Sequence, residues 1–287
     1  MVKLVLVAGL IPYESGKTWF TLGSALSARN HGLRVEVFKP VAGHNLWYSP
    51  RAVEKTLKLK LLVGNDVAIY YDNKFIEDPA IANPIALATA PPDPTRYLEK
   101  IDEYLRILEE TYSITVLSRI TSCHSRTIRH SLYYENLEKT SPSTRRFVDK
   151  LALVLKAEKS SLPSLLNYMS SSSVDHDLNK CLELIEKRCD IVFVESFNDA
   201  ITPYAGLLER TNLIAVVAPS RVFVYENSSK LREVLENNVK KLGLEGFRAK
   251  FIVGDLRPDT ILNIEFTPKP KEHKVHKEFV NYILKKT

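Results

Sequence analysis

Three short runs constrain this chain more than anything else in it: Lys3 to Ala8, Cys189 to Glu195 and Leu213 to Ala218 are almost continuously apolar, with no alternation of polar and apolar positions. A strand that reads this way is covered on both faces, which is the condition of a parallel sheet flanked by helices. Between the runs lie segments of helical period, among them Thr18–Ala28 and Arg96–Glu110, the latter with apolar residues at Tyr97, Ile101, Tyr104, Leu105 and Leu108. Strands also read at Arg34–Phe38 and Ala249–Val253, and helices between Trp47 and Asp66, over Arg146–Lys159 and over Val224–Leu242. The proline-rich stretch from Pro79 to Pro94 reads as extended chain in which regular structure does not persist. Alternating strands and helices predict an α/β fold with a doubly wound, mostly parallel sheet.

At 287 residues the chain is longer than one such sheet requires. The surplus falls at Ser113–Lys187, which breaks the rhythm and carries Arg119, His124, Arg126, Arg129, His130, Arg145 and Arg146. The expected organisation is a core of residues 1–112 and 188–287 with an inserted, mainly helical subdomain at 113–187, whose serine run Ser170–Ser173 reads as a mobile linker. Pro268–Lys277 reads as a solvated segment before a last helix. No apolar run approaches the roughly 18 residues of a membrane span. The three cysteines, Cys123, Cys181 and Cys189, are too few and scattered for a disulfide framework or a zinc site, so a reducing cytoplasm is expected. The net charge of +6 suits an anionic ligand but discriminates little.

The chemistry concentrates where the first buried run ends. Gly9-Leu-Ile-Pro-Tyr-Glu-Ser-Gly16-Lys17-Thr18 lies between a strand and a helix, the context in which a loop of inward-pointing N–H groups at a helix N-terminus binds phosphates. In that reading Gly9, Glu14, Ser15 and Gly16 form the cradle, Lys17 reaches the β and γ oxygens, and the Thr18 hydroxyl joins a Mg²⁺ shell. The usual spacing would put a glycine at Ile11, so this loop is longer. Glu195, at the end of IVFVE, stands where open α/β sheets place ligands and is the candidate carboxylate for the metal. Beyond Lys39, the cluster Gly43-His44-Asn45-Leu46-Trp47-Tyr48 offers His44 and Asn45 as substrate contacts, while Trp47 and Tyr48 either hold a ligand or pack the following helix.

These blocks, in order, resemble dethiobiotin synthetase and its P-loop relatives. Gly9–Thr18 resembles the family's G-T-x-T-x-V-G-K-T loop, one residue longer; Phe38-Lys39-Pro40-Val41 its Y-K-P-V; Asn65-Asp66-Val67-Ala68 its S-D-A-L; Ala82-Asn83-Pro84 its N-P block; and Val192–Glu195 with Ile201-Thr202-Pro203 its V-L-V-E and T-P. The resemblance implies a P-loop NTPase fold and a Mg²⁺-dependent ATPase or ligase-like enzyme that activates a small substrate, working as a homodimer. It implies Lys17, Lys39 and Glu195 as catalytic residues and Thr18, Asp66 and Glu195 around the metal. Two departures stand out: the family's G-A-G-G is Ser196-Phe197-Asn198-Asp199 here, and its adenine-reading asparagine falls on Gly254, leaving Asp255 as the nearest polar side chain. An aspartate accepts two N–H donors and suits guanine, so GTP stands beside ATP as the nucleotide. The second reading is a nucleotide-switched binding protein whose basic insert, with Tyr133, Tyr134 and Phe147 interleaved, contacts RNA. A solvated insert is favoured over an RNA site because Glu135, Glu138 and Asp149 share the region.

Overall fold

A computed structural model describes residues 2–227, 229–266 and 273–286. In chain order the elements are β1 (Lys3–Gly9), α1 (Lys17–Asn30), β2 (Val35–Phe38), β3 (Val41–Asn45), α2 (Pro50–Leu59), α3 (Asn65–Asp72), α4 (Pro79–Ala82), β4 (Ile85–Thr89) and α5 (Ile101–Glu109). Then come β5 (Thr115–Ser122), β6 (Thr127–Tyr133), α6 (Tyr134–Leu137), α7 (Pro142–Leu155), β7 (Glu158–Ser160), α8 (Leu162–Met169) and α9 (Ser172–Glu186). The chain closes with β8 (Ile191–Glu195), β9 (Leu213–Ala218), β10 (Arg221–Glu226), α10 (Ser229–Leu242), α11 (Ala249–Asp255), β11 (Thr260–Asn263) and α12 (Lys274–Lys285). It is an α/β protein with two mixed sheets. No helix among the described residues is long and apolar enough to cross a membrane.

The chain forms two compact units, one of Met1–Pro40, Asn73–Glu77 and Leu182–Thr287, the other of Val41–Asp72 and Asp78–Cys181. The division therefore falls at residue 41 rather than 113, because β3 pairs with β4 and β4 with β5, and neither pairs with the first sheet. The tract 113–187 is not a self-contained helical insert: β5, β6 and β7 belong to a sheet that begins upstream of it.

In unit 1 the strand order is β11-β10-β9-β1-β8-β2. The three apolar runs are the parallel centre: β1 pairs in parallel with β8 and β9, and β2 with β8. Their side chains are buried on both faces, as unalternating sequence requires. Antiparallel β10 and β11 extend one side, so the sheet is mixed. On the other side β2 is capped by residues 73–77: the Val37 N–H donates to the Phe75 carbonyl at 2.8 Å, and the Arg29 guanidinium lies 3.7 Å from the Phe75 ring centroid. Phe20 of α1 stacks on Phe279 of α12, with ring centroids 5.0 Å apart.

In unit 2 the order is β3-β4-β5-β6-β7. A core of Leu62, Val116, Leu117, Leu132, Val148 and Leu151 fills one side. The proline-rich stretch is more regular than its composition suggests, because its prolines sit where they do no harm. Pro79 opens α4 at a position whose N–H would be unpaired anyway, Asp78 caps it by accepting from Ala80, and Ile85–Thr89 between the prolines is a fully buried strand. Arg119 is fully buried, its guanidinium donating to the Asn83 carbonyl and, at 2.9 Å, to the Asn83 side-chain oxygen. Burial pushes its pKa down to about 9. His130 is also buried and accepts the Leu62 N–H at 3.2 Å; burial first, then the Arg119 charge, push it down to about 4.

Other expectations change. Ala249–Asp255 is helix α11 rather than a strand, and the helix expected from Val224 begins at Ser229 after strand β10. Of the serine run, Ser170 and Ser171 make a tight turn between α8 and α9, held by the Ser171 hydroxyl on the Tyr168 carbonyl at 2.7 Å, and Ser172 and Ser173 open α9. Residues 268–272 lie outside the described residues, and Lys274–Lys277 belong to α12. Cys123 and Cys181 form a disulfide across unit 2, leaving Cys189 as the free, buried thiol, pushed up to about 12 by burial. The cysteine count misled because it weighed spacing along the chain, whereas bonding depends on Cα atoms brought 5.2 Å apart by the fold. With that bond present, the cysteines no longer favour a reducing compartment.

Candidate functional site at the carboxyl edge of the parallel strands

Strand register assembles the site. Val7 of β1 pairs with Glu195, Phe38 of β2 pairs with Val194, and Gly9 pairs with Val217, so the ends of β1, β2 and β8 lie together at one edge of the sheet. Glu195 is completely buried, as is Lys39, the residue that follows β2. The Lys39 ammonium donates to Glu195 Oε1 at 2.6 Å and to the Ser196 carbonyl at 2.8 Å. Two charges taken out of water at this distance stabilise each other, and removal of either leaves the other stranded. The Thr18 hydroxyl, on the first turn of α1, donates to the same Oε1 at 3.3 Å. One carboxylate oxygen thus gathers a hydroxyl from the loop helix and an ammonium from the neighbouring strand.

The loop of residues 10–16 leaves β1 with the Leu10 N–H bonded to the Val217 carbonyl and enters α1 with the Phe20 N–H on the Gly16 carbonyl. Gly16 has φ +88°, and its hypothetical Cβ would meet nothing nearer than 3.9 Å, so conformation rather than space demands glycine. At Gly9 the reverse holds: a Cβ would come within 2.5 Å of the Ser15 Oγ, so the missing side chain lets the loop fold back onto its own strand. Glu14 also adopts positive φ, +54°. Its side chain is exposed, as are Ile11 and Tyr13, so the two large residues turn outward rather than into the loop. Ser15 is buried, and its hydroxyl has no partner among the described residues. Lys17 is half-buried at the head of α1.

The remaining candidates lie elsewhere. Asp255 ends helix α11, is exposed, and accepts from the Asn238 amide at 3.0 Å. It does not stand at a strand end, the position expected of a base-reading side chain, because the residues directly before it are helical. Asp66 belongs to unit 2, on the first turn of α3, so the expected trio Thr18, Asp66 and Glu195 is divided between units. Its charge acts on His44 of β3 and favours the imidazolium, a carboxylate neighbour the sequence did not suggest. Burial outweighs it and pushes His44 down to about 4. Neither ring nitrogen of His44 has a partner among the described residues. Asn45 turns its side-chain oxygen back to the Trp47 N–H at 2.9 Å. Trp47 and Tyr48 are 66% and 76% exposed, so they do not pack the following helix. Trp47 instead borders a small cavity of about 140 Å³ with Pro91 and Phe147.

The basic tract is divided: His124, Arg126, Arg129 and Arg146 are exposed, whereas other members are not. Arg119 and His130 are buried in unit 2 and hold backbone groups there. The loop after Glu195 is tied down by the Ser196 hydroxyl on the Ala200 carbonyl at 2.6 Å and by an Asp199–Arg248 ion pair at 2.7 Å. Sequence reasoning named Lys39 and Glu195 separately and missed that they form one unit. The available signal was that a lysine ending a buried strand requires an anion.

Comparison with known proteins adds no identity: no family model, no curated protein and no solved structure matches this chain.

Proposed function

We propose that unit 1 is a P-loop nucleoside triphosphatase of the dethiobiotin-synthetase type, coupling ATP, or GTP, to activation of a small substrate. The observation that carries the reading is the convergence of Thr18 and Lys39 on Glu195 beside a glycine-turned loop at a helix N-terminus. Carboxyl ends of parallel strands are where α/β sheets bind ligands, and helix N-termini favour anions. The donor set fits Mg²⁺, a hard cation that takes few protein oxygens and keeps waters and phosphate oxygens: a hydroxyl and a carboxylate lie side by side, with no soft ligand among them. Bound there, the ion would supply charge neutralisation for the triphosphate tail. The chain's own part is positional. Lys17 grips the terminal phosphates, the loop N–H groups orient them, and Lys39 stands ready as a second cation once its hold on Glu195 is shared or opened.

The basic-insert reading for RNA draws no comparable support, since Arg119 is consumed inside unit 2 and burial there keeps His130 neutral near pH 7. The test is Mg²⁺-dependent phosphate release from ATP and GTP. Lys17→Ala is expected to abolish turnover while leaving the far-UV spectrum and melting temperature unchanged, and unaltered turnover in that variant removes the phosphate assignment.

A further inference from the structure

Unit 2 contains a cavity of about 380 Å³ that the loop chemistry does not use, within the range of small-molecule sites. One of its walls is the face of β5 and β6 carrying alternate residues: Ile120 and Ser122 on one strand, Thr127, Arg129, Ser131 and Tyr133 on the other, with Arg129 opposite Ile120 and Thr127 opposite Ser122. Ser160 of β7, opposite Tyr133, continues the row. Ser164, Leu165 and Tyr168 of α8 and Asp177 of α9 complete it. Apart from Ile120 and Leu165, every lining side chain carries a hydroxyl, a guanidinium or a carboxylate.

The lining is selective about what is left open. Asp177 is engaged on both oxygens, by the Ser122 hydroxyl at 2.6 Å and the Tyr168 hydroxyl at 3.3 Å, and forms no ion pair with Arg129 among the described residues. The Arg129 guanidinium and the Ser160 and Ser164 hydroxyls have no hydrogen-bond partner among the described residues, yet all three border the same cavity. A planar cation is the usual apparatus for a carboxylate or phosphate, and hydroxyls lining the same cavity suit the polar body of such a ligand. The carboxylate oxygens of Asp177 each retain acceptor capacity suited to the hydroxyls of a ligand's body. The rim is braced: Cys123, next to Ser122, is bonded to Cys181, which lies one helical turn beyond Asp177 on α9. Such bracing reduces the ordering that binding must otherwise supply.

We propose that this cavity is a second ligand site, in which Arg129 holds the oxyanion of a small polyol, a sugar phosphate or a sugar acid, while Ser160, Ser164 and Asp177 bind its hydroxyls. The proposal does not depend on the nucleotide assignment, and its test is run where the loop cannot interfere. In the Lys17→Ala background, glucose 6-phosphate, gluconate and inorganic phosphate are titrated calorimetrically into the full chain. One of the two organic probes is expected to bind saturably and more tightly than inorganic phosphate, and which one it is tells phosphate from carboxylate. Adding Arg129→Gln, an exposed position, is expected to weaken that probe at least tenfold at unchanged melting temperature, with Arg129→Lys recovering part of the loss. Absence of heat from both organic probes, equal binding of inorganic phosphate, or affinity indifferent to Arg129→Gln overturns the proposal.

Discussion

Each unit hides a cation completely, but for different ends. In unit 1 Lys39 is buried against a carboxylate, Glu195, at the edge where the loop and α1 begin. In unit 2 Arg119 hydrogen-bonds to neutral groups, the backbone and side-chain oxygens of Asn83 and the Pro79 carbonyl, with the Asp78 carboxylate acting on it through its charge alone, and so ties α4 to β5. The first arrangement places opposite charges at the carboxyl edge of the parallel strands, and the second satisfies the Asn83 carbonyl in the α4–β4 turn. The presence of a buried charge therefore says little about function until its partner is known.

The largest effect expected from breaking this contrast is at Glu195. Glu195→Gln leaves the Lys39 ammonium buried without an anion and should cost about 3–5 kcal/mol of stability along with all nucleotide turnover. The pair Lys39→Met with Glu195→Leu should recover much of that stability, because well-packed apolar residues often replace a buried ion pair, and still show no turnover. Denaturant unfolding of the single and double variants checks the coupling, and additive losses would mean that the two residues do not act as a unit.

Next in size is the covalent link of unit 2. Cys123 and Cys181 close a segment with sequence separation 58, for which chain-entropy reasoning gives about 4 kcal/mol. Reduction, or Cys123→Ser with Cys181→Ser, should lower unit 2 stability by that order while nucleotide affinity in unit 1 stays unchanged. Loss of both together would blur the division between the units.

The smallest expected effect is the pH response of the buried histidines. His44 is held near 4 by burial, below its ordinary 6.5, so the unfolded chain binds a proton that the folded one refuses between those values. Stability therefore falls as pH drops from about 6.5 to 4, by at most about 3 kcal/mol for this residue, with His130 adding in the same direction. Thermal melts of His44→Phe against the unaltered chain should show a shallower decline over that window, whereas parallel curves would mean that His44 does not contribute.

How much of this was legible follows the same contrast. The parallel centre of unit 1 could be read because β1, β8 and β9 are covered on both faces and their sequences do not alternate. The loop, Lys17, Thr18 and Glu195 could be named because strand ends and helix starts were marked, whereas Lys39 was named only through the family resemblance. Unit 2 was obscured by its buried polar residues: Ser118, Arg119 and His130 interrupt the apolar pattern of β5 and β6, so two strands looked like a solvated insert. Ala249–Asp255 was ambiguous for a different reason, since a short apolar run does not distinguish a buried strand from a helix turn. The disulfide and the Arg129 cavity depend on contacts distant in sequence, which spacing along the chain does not carry.

The most direct measurement is a calorimetric titration of ATP with Mg²⁺ into the unaltered chain, repeated with Lys17→Ala and with Mg²⁺ replaced by a chelator. A single saturable site that is lost in both controls is the predicted result. Nucleotide binding that persists without Lys17 and without the metal, or no binding at any concentration in the unaltered chain, would contradict the assignment of the loop.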